Sequence, residues 1–172
     1  RGKTLGGSSS INGLLYVRGQ PQDFDHWRQL GNTGWSWEDV LPLFKRAESW
    51  EGGGDEVRGE EGPLIVSKNQ VNREIVDAWL HAAVSAGYRW NDDYNQEDQE
   101  GVGYFQMTMK GGRRCSAAAA YLKPIKNRKN LEIFTHAQSH KIIFEDGKAI
   151  AVNVKMNGKI ETVYARREII LS

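Results

Sequence analysis

The chain has 172 residues, of which 39% are hydrophobic and 26% charged, with a formal net charge of +1. That composition fits a folded chain of one medium domain or parts of two, and its mixed signs exclude nucleic acid or an anionic membrane as the main partner. Cys115 is the sole cysteine, so no internal disulfide can form, which fits a reducing, cytoplasmic setting.

The first twenty-five residues carry the most information. Gly6 and Gly7 precede Ser8, Ser9 and Ser10, and an Asn12-Gly13 pair follows. Glycines let main chain approach a ligand closely, and serines at a helix start leave amides free for an anion. The same letters also suit an ordinary Gly/Ser loop.

Further along, Pro21 to Leu30 is expected to be a short helix with Pro21 in its first turn, Phe24 and Trp27 on one face, and Gly31 closing it. Ser36 to Glu48 is expected to be a second, started by a Ser36–Asp39 capping box, bent at Pro42, with Trp37, Val40, Leu41, Phe44 and Ala47 inward. Glu51 to Gly62 reads as a solvated acidic loop before a Pro63–Val66 strand. Asn72 to Ala86 gives the clearest helical period: Asn72 caps it, and Ile75, Val76, Trp79, Leu80, Ala83 and Val84 form an apolar face.

Asn91 to Gly101 reads as loop, and Gly103 to Met109 as a strand. Gly111-Gly112-Arg113-Arg114 then turns into an Ala-rich helix, Ala117 to Leu122. The two arginines would make a fair anion site. Leu131 to Thr135 is expected as a strand. A meander over Lys141–Glu145, Ala149–Lys155 and Lys159–Ala165 follows, turning at Asp146-Gly147 and Asn157-Gly158. Arg167 to Leu171 reads as a buried parallel strand. His26 and His81 read as surface histidines. His136 and His140 would share a strand face, but no third residue completes a metal site.

The order of residues from Gly2 to Asp25 resembles the first signature of the glucose-methanol-choline (GMC) family of FAD-dependent oxidoreductases. Gly2, Lys3, Leu5, Gly6, Gly7, Ser8, Ser9, Ile11, Asn12, Tyr16, Gly19 and Asp25 occupy its constrained positions. The wording from Leu5 to Gly19 is most similar to choline dehydrogenases, and the Gly112-Arg113-Arg114 stretch through Tyr121-Leu122 also matches the family. The resemblance implies a mixed α+β and α/β chain. One part belongs to a Rossmann-type FAD-binding domain, whose parallel strands are joined through the meander; the other belongs to an α+β substrate domain.

The expected division is 1–45 for the signature and its linking helices, 46–125 for the substrate-domain part and 126–172 for the FAD-domain part. FAD would touch Leu5, Gly6, Gly7, Ser8, Asn12, Gly13, Leu14 and Leu15. Ser139, where the family usually has Val, would meet the adenine end through its backbone. The resemblance further implies an internal piece of a longer enzyme. The ADP-gripping glycine motif would lie upstream of it, and the second signature and catalytic histidine downstream. The piece alone would be inactive.

The substrate would be choline or a related small-molecule primary alcohol, or, on a second reading, a sugar or aryl alcohol. The electron acceptor, homo-oligomeric state and attachment of the whole protein to the inner membrane are left open. A reading of another class is a non-catalytic anion- or nucleotide-binding domain.

Overall fold

The computed structural model describes residues 1–71 and 73–172. They divide into two units, Arg1–Asn127 and Arg128–Ser172, which together give a mixed α and β architecture.

The first unit opens with a four-residue 3-10 turn, Gly7–Ser10, and then an extended run to Gln20. Helix α1, Pro21–Gln29, starts where the Gln20 amide donates to Asp23 Oδ2 (2.8 Å) and ends at Gly31, whose φ of 100° lets its amide turn back to Arg28 O. Helix α2, Trp37–Ala47, has the expected capping box: Asp39 N donates to Ser36 Oγ (3.3 Å) and Ser36 N to Asp39 Oδ2 (3.0 Å). Pro42 is accommodated inside it. Phe24 of α1 packs against Trp37 and Phe44 of α2 with ring centroids 5.7 and 5.6 Å apart, which fixes the helix pair.

Strand β1, Glu48–Trp50, follows α2 directly and pairs in parallel with β2, Leu64–Val66. The loop between them is not merely solvated. Val57, Arg58 and Gly59 are buried, and a Cβ on Gly59 would lie 2.0 Å from Lys45 O.

Helix α3, Glu74–Ser85, forms where the period predicts it, with Arg73 at its N-cap; the expected Asn72 cap lies outside the described residues. Only Leu80 of its apolar face is buried, while Ile75 is 75% and Trp79 63% exposed, so period alone did not determine burial.

The Gly103–Met109 strand does not form. Met107 makes isolated bridges to Leu15 on one side and Ser67 on the other, and regular pairing begins only at β3, Met109–Lys110. Buried Gln106 spends its side chain on polar partners, which breaks the alternation expected of a strand. Gly111 and Gly112, both at positive φ (52° and 73°), turn β3 into β4, Arg113–Arg114. A π-helical turn, Ala118–Leu122, stands in place of the expected Ala-rich α-helix.

The second unit is an antiparallel meander, β5 (Gln138–Glu145), β6 (Lys148–Met156) and β7 (Lys159–Tyr164), in that spatial order. Both connections are two-residue turns with positive φ at each position: Asp146 and Gly147 at 47° and 77°, Asn157 and Gly158 at 49° and 80°. The flanking strands expected at Leu131–Thr135 and Arg167–Leu171 are absent. Neither segment has a pairing neighbour among the described residues, and Ile170 and Leu171 are each 78% exposed. His136 lies outside β5 at φ 53°, so it shares no strand face with His140.

Candidate functional site

The Leu5–Leu15 segment is a built loop. Its glycines have distinct reasons to be there. A Cβ on Gly2 would stand 2.2 Å from Gly7 O, and one on Gly6, at φ 86°, would stand 2.5 Å from Ser10 Oγ and 3.1 Å from the Ala118 backbone. These two glycines let the turn fold onto itself and onto the π-helical turn. Gly7 and Gly13 have nothing within 4 Å of a Cβ, so open space lies beside them.

The serines do not cap a regular helix as expected, because only a four-residue turn follows them. Instead they bond back into the loop. Ser9 Oγ donates to Gly6 O and accepts from Ala117 N (2.9 Å), while Ser10 Oγ donates to Leu5 O (2.7 Å).

The amides of Gly7, Ser9, Ile11, Asn12, Leu14 and Tyr16 are paired. Those of Gly6, Ser8, Gly13 and Leu15 have no hydrogen-bond partner among the described residues. Leu5, Ser8, Asn12, Gly13 and Leu15 are exposed; Gly6, Gly7 and Leu14 are half-buried. Unpaired donors beside an open glycine suit a ligand that presents acceptor atoms to main chain. The eight residues expected from 5 to 15 therefore come together. Ser139 belongs to the other unit, on the edge strand β5 just before a register shift, where half of the strand's backbone groups lack a partner strand.

The segment that follows the loop, Tyr16 to Arg18, is held by a polar network that the sequence reading missed. Glu48 is fully buried and joins two buried arginines. Arg18 Nη2 lies 2.5 Å from Glu48 Oε2, and Arg58 Nη2 lies 2.7 Å from Oε1. Arg58 continues to Asp93 (2.6 Å) and stacks on the Trp50 ring at 4.3 Å. Burial alone would lower the Arg58 pKa, but its hydrogen bonds and charge interactions with Glu48 and Asp93 outweigh that and hold it above the ordinary value.

Two cations and two anions balance in charge, and buried amides extend the set. Asn95 Oδ1 accepts from Arg18 N (2.7 Å), Asn95 Nδ2 donates to Gln106 Oε1 (2.8 Å) and Gln106 Nε2 donates to Asp93 Oδ1 (2.7 Å). Tyr94 OH donates to Tyr16 O (2.9 Å). Burial raises the pKa of both Tyr16 and Tyr94, which keeps these phenols neutral. The network thus pins residues 16–18 and the strand-like run around Gln106 in one arrangement, and Tyr16 N closes it by donating to Gln106 O (2.9 Å). No signal in the sequence pointed to it: Arg18 and Asp93 stand 75 residues apart, with Glu48 and Arg58 between them, and no local period links the four.

A fold of this kind, with a glycine-serine loop presenting free amides, defines a class. The family model described as GMC oxidoreductase matches residues 1–172, and the chain belongs to that family. Among curated relatives it is similar to the oxygen-dependent choline dehydrogenases of Sinorhizobium fredii (48% identity) and Rhizobium johnstonii (47%), each over all of this chain and 31% of the relative. Among solved structures it is similar to pyridoxine 4-oxidase from Mesorbium loti (TM-score 0.86, 29% identity, 91% of this chain and 31% of that one). It is also similar to an FAD-dependent oxidoreductase from Chaetomium thermophilum (TM-score 0.87, 27% identity, 94% and 31%). The chain therefore spans about a third of the length of the relatives it matches.

Proposed function

We propose that the chain is the part of an FAD-dependent alcohol dehydrogenase that holds the flavin, and that the whole protein oxidises choline or a closely related primary alcohol. The observation that carries this reading is the set of unpaired amides at Gly6, Ser8, Gly13 and Leu15 in a chain of the GMC family. The residues fit the cofactor: the amides donate to its acceptor atoms, Gly13 leaves room for close approach, and exposed Leu5 (47%) and Leu15 (48%) offer apolar surface to a planar ring. When bound, FAD supplies the hydride acceptor at N5.

The chain's own part is to bind and orient. The Arg18–Glu48–Arg58–Asp93 network fixes the chain where it leaves the loop, at Arg18. None of the four histidines hydrogen-bonds this loop among the described residues, so proton abstraction from the alcohol is assigned to a histidine elsewhere in the whole protein. The backbone of Ser139 on β5 is assigned to the adenine end.

The test is the whole protein, purified and assayed with choline against other primary alcohols and sugars. A yellow protein that turns over choline fastest supports the reading, and Gly13→Val, which fills the open approach, should lose most of its FAD. A colourless protein, or G13V with full FAD content, overturns it.

A further inference from the structure

Arg114 bonds the Asn12 end of the loop, and nothing in the reading above gives it a task. It sits on β4, delivered there by the Gly111-Gly112 turn and by the ladder that joins Cys115 N to Thr108 O and Thr108 N to Leu14 O (2.9 and 2.8 Å). Its guanidinium makes three bonds to the loop: Nη1 donates to Ser9 O (3.0 Å) and Asn12 Oδ1 (2.6 Å), and Nη2 donates to Asn12 O (2.8 Å). Asn12 Oδ1 also accepts from Leu14 N (3.1 Å), and Leu14 is held at φ 69°, a region a branched side chain seldom enters.

The chain of cause runs from one guanidinium to Asn12, and from Asn12 to the peptide unit it shares with Gly13. Thr108 N and Oγ1 hold the Leu14 carbonyl (2.8 and 3.1 Å), so the Asn12 side of Gly13 is the side that depends on Arg114. Arg114 has no carboxylate partner among the described residues, so its positive charge stays uncompensated beside the loop. Neighbouring Arg113 is exposed and makes no side-chain bond among the described residues.

We infer that Arg114 is a positioning residue for the flavin: it fixes the Asn12–Gly13 main chain through Asn12 and biases that end of the loop toward an electron-rich ligand. This rests on the flavin-binding reading. It adds that a side chain about a hundred residues along the sequence sets the aim of the Gly13 amide and tunes the bound cofactor.

The experiment uses the whole protein and its Arg114→Ala, Arg114→Lys, Asn12→Ala and Arg113→Ala variants. It measures FAD affinity by reconstitution of the apoprotein, the flavin absorbance spectrum, the flavin reduction potential and the melting temperature of the apoprotein. Losing hydrogen bonds from a charged group should weaken FAD binding about tenfold to hundredfold in R114A. R114K keeps the charge but not the fork, so it should recover the potential more fully than the affinity. R113A should match the wild type in all four measurements.

The double variant N12A/R114A should lose little more affinity than either single one, because both act through the same brace. Should R114A not accumulate as folded protein, R114K and N12A decide the matter. Wild-type affinity, spectrum and potential in R114K and N12A overturn the inference, as do additive losses in the double variant or an R113A effect equal to that of R114A. A wild-type protein that takes up no FAD overturns instead the reading on which it stands.

Discussion

In Arg128–Ser172 almost every stabilising contact joins neighbours in sequence: three strands, two turns, each strand paired with the next. In Arg1–Asn127 the regular elements are short, and what ties them together is side-chain chemistry across long separations, from Arg18 to Asn95 and from Ser9 to Arg114. One unit can be assembled from local rules. The other depends on a buried ion cluster that exists only once distant segments have met. Such a cluster contributes little net energy against apolar packing, yet it is costly to leave half-made. Its consequence here is specificity of arrangement, which a loop of free amides needs.

Three changes probe that difference in the whole protein. Glu48→Ala should be the most damaging. It leaves the Arg18 and Arg58 guanidiniums buried without their shared carboxylate and should cost about 3–5 kcal/mol, read from the denaturant midpoint or from loss of soluble protein. An unchanged midpoint would mean that the first unit does not depend on its ion cluster. Gly158→Ala tests the local logic of the meander. At φ 80° an alanine should cost about 1–2 kcal/mol even though nothing stands within 4 Å of its Cβ, again read from the denaturant midpoint.

Ser36→Ala removes one cap of α2 and should cost about 1 kcal/mol. Its pH dependence has a definite sign. Hydrogen bonds from the Ser36 hydroxyl and amide hold the Asp39 carboxyl below its ordinary value, so the folded pKa is depressed. The stabilisation is therefore present above the unfolded pKa and fades as pH falls through the lowered folded one. Stability measured down through this acid range should show the gap between wild type and S36A narrowing but not closing, because the Asp39 N bond to Ser36 Oγ does not titrate; a gap that stays constant would mean that the Ser36 hydroxyl contributes nothing to the lowered Asp39 pKa.

Local chemistry explains what could be read ahead. The I′ turns at Asp146-Gly147 and Asn157-Gly158 need only two residues tolerant of positive φ, and the Ser36–Asp39 box needs only a spacing of three. The glycine-serine stretch at Leu5–Leu15 stands out in the sequence because its residues are contiguous, but the serines bond back into the loop instead of capping a helix. Period failed where burial depends on a neighbour. The apolar face of α3 has the right spacing and stays exposed apart from Leu80, and Arg167–Leu171 has strand composition but no strand beside it. Gly103–Met109 failed for the opposite reason: Gln106 was claimed by Asn95 and Asp93, and their polar bonds displaced a regular ladder.

By itself the sequence determined the capping box of α2, the Gly31 stop of α1 and both hairpin turns, because capping and positive φ are settled within three or four residues. Only the tertiary structure decided what braces the glycine-serine loop, since Arg114 donates to Asn12 and the Ala117 amide donates to Ser9 Oγ from about a hundred positions away. It alone also decided that Arg18, Glu48, Arg58 and Asp93 share one buried site. Charges are taken out of water only when their partners arrive with them, and that meeting is a property of the folded chain rather than of any stretch within it.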